Sequence, residues 1–121
     1  MSAEEVAKAF VPHYYQCFDG AREQLVGLYR DQSLLTFEGD GPKQGPQQIM
    51  DKLRALPVVV HNIQTIEVQP SVTPNAILIF VTGQIMIEQD KPLKYTQLFQ
   101  LVGEGPGQYY LHNDIFRFNY S

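Results

Sequence analysis

Three histidines, one cysteine and a few carboxylates that close apolar runs are the residues of this sequence that could do chemistry. His13, His61 and His112 stand far apart and form no HxH or HxxxH pair. A metal site needs several convergent ligands, so no metal and no cofactor is expected. Cys17 could be a nucleophile only with a base brought beside it. Its place in an apolar helical pattern gives it a packing role instead. As the sole cysteine it can form no intrachain disulfide, which suits a reducing compartment. Gly39-Asp40-Gly41 and Gly103-Glu104-Gly105-Pro106-Gly107 lack the lysine and hydroxyl residue of a phosphate-binding loop and read as turns. No serine sits in a Gly-x-Ser-x-Gly elbow.

The carboxylates carry more. Glu38 follows Phe37 at the end of an apolar run, and Glu88 and Asp90 stand where a long apolar strand reaches its turn. Acids at strand ends can rim an opening walled by the strands' apolar bodies. Such a site suits a basic partner carrying an aromatic anchor. It also suits acid/base work on an apolar substrate, and plain solvated turn residues would look the same. Spacing leaves all three readings open.

The elements that must place these acids follow from periodicity. Ser2-Ala3-Glu4-Glu5 is a capping box, and Val6, Ala9, Phe10, His13, Tyr14, Cys17 and Phe18 then recur at helical spacing. Asp19-Gly20 ends that helix, with Asp19 a fair N-cap for a second one striped by Leu25, Leu28 and Tyr29. Leu34 to Glu38 is a short strand, stopped by Gly39-Asp40-Gly41-Pro42. Pro46 suits a first helical position; Ile49, Met50, Leu53 and Leu56 face inward on this third helix, and Pro57 closes it. Four strands follow, Val58–Gln69, Ala76–Gln89, Leu93–Val102 and Gln108–Phe118. Their short connections predict antiparallel pairing. Helices first and strands afterwards give an α+β class, in one domain over residues 1–121.

With 44% hydrophobic and 18% charged residues, the 121-residue chain is globular in composition. A net charge of −4 and the absence of any Lys/Arg run argue against nucleic acid. No apolar run reaches the ~20 residues that cross a bilayer, and no signal peptide opens the chain. The long strand sets Ile77, Ile79, Val81, Gly83, Ile85 and Ile87 on one face and Leu78, Phe80 and Met86 on the other. The last strands put Tyr95, Phe99, Leu101, Tyr109 and Leu111 on one side against Leu98 and Val102. Three short helices cover one face of such a sheet. The other needs a partner, and a two-fold homodimer is the commonest solution.

Several stretches resemble the nuclear transport factor 2 family. They are His13-Tyr14-Tyr15-Gln16-Cys17-Phe18-Asp19 with Arg22 and Gln24-Leu25, Leu35-Thr36-Phe37-Glu38-Gly39, Lys52-Leu53 with Leu56-Pro57, Gly83-Gln84, Gln97-Leu98-Phe99 and Asn113-Asp114-Ile115-Phe116-Arg117. They occur in family order over nearly the whole chain. The resemblance implies a cone, a strongly bent antiparallel sheet around three N-terminal helices, dimerised through the open sheet face. It implies import of the GTPase Ran in its GDP form and contact with phenylalanine-glycine repeats of nucleoporins, hence a place in cytoplasm, nucleus and nuclear pore. By the same resemblance Glu38, Glu88 and Asp90 are the Ran-binding acids, and Phe37, Leu56, Leu93, Leu98 and Phe116 surround the cavity that receives an aromatic side chain of Ran. His61, Gln69 and Pro70 fall at the dimer interface. The family's repeat-binding aromatic near the start of the first helix is Ala3 here, which shifts that role toward Phe10 and Tyr14. Gln89 replaces an acid found in some members, and Val58-Val59-Val60 is a shortened segment.

Two rival readings remain. One is an isomerase or dehydratase of the same fold, which would place a carboxylate and Tyr or His donors inside the cavity; the inward positions read here as aliphatic or Phe. The other is a heterodimerising interaction domain in RNA export. Such domains usually lie within longer chains, and a chain closing at Tyr120-Ser121, just after the last strand, fits a free carrier better.

Overall fold

The computed structural model describes residues 2–119; Tyr120 and Ser121 lie outside the described residues. Helix α1 (Ala3–Gly20) is followed by a 3-10 helix (Arg22–Leu28), strands β1 (Leu34–Phe37) and β2 (Lys43–Gln44), and helix α2 (Gly45–Arg54). Strands β3 (Val59–Pro70), β4 (Ala76–Ile87), β5 (Leu93–Gly105) and β6 (Gln108–Phe118) complete the chain.

The capping box forms as its sequence predicts. The Glu5 amide donates to Ser2 Oγ at 3.2 Å, and the Ser2 amide donates to Glu5 Oε1 at 3.0 Å. The buried stripe of α1 is rotated from the predicted one: Ala7, Val11 and Tyr15 go inward with Val6, Tyr14, Cys17 and Phe18, while Ala9 and His13 face solvent. The second helix is a 3-10 turn without a side-chain cap. Asp19 stays within α1 and binds a histidine instead of opening that helix. Helix α2 starts with Pro46 in its first turn and buries Ile49, Met50 and Leu53.

The sheet has six strands in the order β2-β1-β6-β5-β4-β3 and does not close into a barrel. The four long strands pair antiparallel, as their short turns predict. The sheet as a whole is mixed, because β1 runs parallel to β6. Hairpin logic does not reach that pair: most of the chain lies between the two strands, and such an excursion permits either direction. Strand β2, two residues pairing with β1, falls between the Gly39–Pro42 turn and the third helix, where the sequence pattern assigns no element.

Irregularities in register bend the sheet. One lies between Ile63 and Thr65 on β3, and others interrupt the β5–β6 pair. Gly83 sits opposite Ile63, beside the first bulge. A Cβ there would strike the Asn62 carbonyl oxygen and lie 3.0 Å from the Tyr95 ring, so only glycine permits this approach. The inner face, with Ile77, Ile79, Val81, Ile85, Tyr95, Phe99 and Leu101 all buried, packs under the helices. Among the described residues the outer face leaves Phe80 and Ile115 exposed.

Candidate functional site

The end of β1, the start of β3, the end of β4, the start of β5 and the end of β6 all meet at one end of the sheet. Glu38 leaves β1 there, and Glu88, Gln89 and Asp90 form the β4–β5 turn. Three non-glycine residues adopt the left-handed backbone among the described residues: Glu38 (φ 54°), Glu88 (φ 51°) and Gln89 (φ 63°). Each stands at this mouth. A left-handed conformation costs a side-chain-bearing residue roughly 1–2 kcal/mol, and such strain gathers at functional sites.

Glu38 is held on one side only. Its Oε2 accepts from the Phe118 amide at 2.6 Å, and its own amide donates to the Phe116 carbonyl at 2.9 Å. Its Oε1 lies 3.8 Å from Arg117 Nε, a loose pair to a side chain that is 63% exposed. Glu88 and Asp90 are exposed. The turn itself is fixed by the Glu88 amide donating to the Val58 carbonyl and the Asp90 amide to the Ile87 carbonyl, both at 2.9 Å. The mouth therefore has a firm backbone and outward-facing acids.

Behind Glu38 lies an aromatic wall. Phe37 stacks flat on Phe116 at 4.5 Å between ring centroids, Phe118 meets both edge-on, and Tyr95 stacks on Phe116 from the other side at 5.2 Å. Lys52 Nζ sits 5.6 Å over the Phe37 ring. Leu93 is exposed at the start of β5. Leu56 borders a separate hollow of about 300 Å³ with Phe18, Asp19, Arg22, Arg54 and Val58. Leu98 departs from the predicted cavity: it pairs with Ile115 while Phe116 pairs with Gln97, so it points to the outer face. Side chains alternate along a strand, and Leu98 has the parity opposite to buried Gln97 and Phe99.

Two predicted interface residues are likewise inside. The His61 ring is 1% exposed and lies under α1. Asp19 accepts from its amide at 2.7 Å and meets its Nδ1 at 2.6 Å, while Tyr15 stacks on the ring at 4.4 Å. The bulge after Ile63 explains the difference, since it reverses which face each parity serves. Tyr14 is fully buried, so it offers nothing to a repeat. Phe10 stays half-buried, its ring edge against Phe99. Gln69 does reach the outer face, where it lines a groove of about 300 Å³ with Glu67, Val68, Leu78, Phe80 and Leu98. Pro70, at the end of β3, is exposed.

Residues 6–118 match the nuclear transport factor 2 domain. The chain belongs to the nuclear transport factor 2 family. It is 47% identical to nuclear transport factor 2 of Oryza sativa subsp. japonica, with all of both chains covered. It is 45% identical to that of Emericella nidulans, covering 98% of this chain and 96% of the relative. The structure of nuclear transport factor 2 from Cryptosporidium parvum superposes with a TM-score of 0.90 at 39% identity, over 97% of this chain and 94% of that one. The fold is the family's, and the role is that of a nuclear transport factor.

Two constellations of this family member escape a residue-by-residue reading. Arg22 donates to the carbonyls of Phe18, Leu53, Leu56 and Pro57 at 2.8–3.1 Å and stacks on the Phe18 ring at 4.8 Å. It ties the last turns of α1 and α2 together behind the mouth. Deeper in, Asp114 is fully buried and accepts from Tyr14 Oη at 2.7 Å, Tyr29 Oη at 3.0 Å and Gln97 Nε2 at 2.7 Å; Tyr15 Oη donates to Gln97 Oε1 at 2.7 Å. Burial pushes the Asp114 carboxyl above the usual carboxylate range, and burial beside Asp114 raises Tyr14 and Tyr29. The interior is thus not wholly aliphatic or Phe. Alternation was the available signal: Asp114 shares parity with Phe116, and Gln97 with Tyr95 and Phe99, so both face inward.

Proposed function

We propose that this chain carries Ran in its GDP state through the nuclear pore, acting as a homodimer and touching phenylalanine-glycine repeats of nucleoporins on the way, and that it moves between cytoplasm and nucleus. The observation that carries the reading is the strained acid mouth. Glu38, Glu88 and Gln89 hold left-handed backbone at one end of the sheet, and the second Glu38 oxygen has only the loose 3.8 Å pair with exposed Arg117 for an incoming cation to displace. Glu38, Glu88 and Asp90 meet basic groups of Ran in this reading. Phe37, Leu93 and Phe116 receive its aromatic side chain, worth roughly 1.5–3 kcal/mol when buried.

The homodimer reading is supported by the outer face. Phe80, Leu98 and Ile115 stand in one cross-strand row, with Phe80 43% and Ile115 44% exposed. Leu98 serves this face and not the Ran cavity. Phe10, half-buried on α1, takes the repeat-binding role in place of Tyr14.

The chain acts as a binding protein and not as an enzyme in this reading. Asp114 with its tyrosine donors has the residue types of an acid/base site, but Asp114 and Tyr14 are 0%, Tyr29 2% and Gln97 3% exposed. The donors already fill the carboxyl group. A reacting substrate would need that space.

Titration of the purified chain with Ran loaded with GDP, and separately with a non-hydrolysable GTP analogue, tests the proposal. Binding to the GDP form alone is expected. Binding to neither form overturns the carrier reading, and isolation from cells as a heterodimer would favour the RNA-export reading.

A further inference from the structure

The four arginines of the chain divide three to one. Arg22 spends its fork on four carbonyls. Arg30 grips Glu104 with two nitrogens at 2.8 and 3.0 Å, and Arg54 grips Glu23 in the same way at 2.7 and 2.8 Å. Arg117 is the exception among the described residues. Its contact is a single pair, Nε to Glu38 Oε1 at 3.8 Å, on a side chain that is 63% exposed.

The fold puts that arginine at the mouth. Phe37 pairs with Phe116, so the next residues along the two parallel strands, Glu38 and Arg117, stand side by side. The guanidinium reaches over the turn that follows β1. Its Nη1 lies 2.8 Å from the place a Cβ on Gly39 would take, so glycine at this left-handed position (φ 73°) leaves room for it. The other acids of the mouth are held differently. Asp40 takes Lys52 Nζ at 2.9 Å, and no cation pairs with Glu88 or Asp90 among the described residues.

An exposed pair at 3.8 Å lies beyond hydrogen-bond reach and is weak. It still acts on a newcomer, because a cation drawn to Glu38 meets a like charge a few ångströms away. We propose that Arg117 is a specificity-determining residue of the mouth: it stands in for the partner's basic group on Glu38 and is displaced when the partner docks. This rests on the reading of the mouth as the Ran-binding site. A basic side chain aimed at Oε1 replaces a loose contact with a charge-assisted hydrogen bond and gains by the exchange. A diffusely positive surface makes no such bond and meets only the repulsion, so the pair selects against it.

Calorimetric titration with Ran loaded with GDP tests this on wild type, Arg117→Gln, Arg117→Lys and Lys8→Gln. Arg117→Gln should bind about two- to fivefold more tightly at low salt, with the gain shrinking as salt is raised. Arg117→Lys keeps the charge and should stay near wild type. Lys8→Gln, at an exposed position of α1, changes the net charge equally and should not alter affinity. In a Glu38→Gln background, where the pair is already broken, Arg117→Gln should gain less. Wild-type binding with no gain in Arg117→Gln overturns the inference and leaves the carrier reading standing. An equal gain in Lys8→Gln, or a full gain in the Glu38→Gln background, assigns the effect to net charge and overturns it as well. Failure of the wild-type chain to bind the GDP form removes the carrier reading itself and takes this inference with it.

Discussion

Asp114 and Glu38 are both carboxylates held by β6, and they do opposite things. Asp114 lies in the strand's interior with three donors on its two oxygens and no access to solvent. Glu38 takes one amide of β6 on one oxygen and leaves the other 3.8 Å from an exposed arginine. A saturated carboxyl group in a low-dielectric core fixes structure, because removing it strands its donors. A half-satisfied one at a strained mouth can accept a new partner. Residue type does not separate the two; the count of donors already present and the reach of water do.

The comparison breaks most visibly at Asp114. Asp114→Leu leaves the Tyr14 and Tyr29 hydroxyls buried without their acceptor and the Gln97 amide with only the Tyr14 hydroxyl, at 3.2 Å. It should lower unfolding free energy by about 3–5 kcal/mol, measured by urea denaturation. If the loss is below about 1 kcal/mol, the network is not the structural unit described here.

Glu38→Lys should act on the partner. It sets a cation where a basic group is expected and should weaken binding of the GDP form of Ran by about 2–5 kcal/mol, while sedimentation shows the association state unchanged. Glu38→Gln keeps an acceptor for the Phe118 amide and isolates the charge, so its loss of affinity should be smaller. Equal binding by all three proteins would remove Glu38 from the site.

Arg22→Lys replaces a fork that reaches four carbonyls with a single ammonium. About 2–3 kcal/mol of stability should go with it, read from thermal unfolding. Ran affinity should fall as well, since the clasp lies behind the mouth.

The pH dependence sharpens the same contrast. Burial raises the folded pKa of Asp114, so the folded chain keeps a proton that the unfolded chain releases above the ordinary value of about 4. That contribution is complete at low pH and is lost as pH rises toward the raised value. Relative to Asp114→Asn, which does not titrate, wild-type stability should therefore fall as pH increases from about 4. A difference that stays flat across this range would mean that the carboxyl is not held protonated by the core.

The smallest effect is expected at the strained turn. Gln89→Gly relieves a left-handed side-chain penalty and should raise stability by about 0.5–1 kcal/mol. Ran affinity should drop slightly if the turn's fixed shape presents Glu88 and Asp90.

Local pattern alone determined much of this chain. The capping box at Ser2–Glu5, the four long strands and the two apolar faces of β4 are legible because they depend on spacing within a few residues, while the family is legible only as a resemblance of several stretches along the chain. The acids Glu38, Glu88 and Asp90 are legible as strand-end residues for the same reason. Tertiary structure decided what spacing cannot carry. The parallel β1–β6 pair joins residues nearly eighty apart, with no hairpin to set its direction. The bulge at Ile63 reverses the faces of β3, which takes His61 inward while Gln69 remains outside. Tyr14 and Asp114 meet across a hundred positions, so a helix tyrosine and a strand acid become one buried network. Burial and hydrogen-bond saturation arise between elements distant in sequence, and they separate the carboxyl that holds the fold from the one left facing outward.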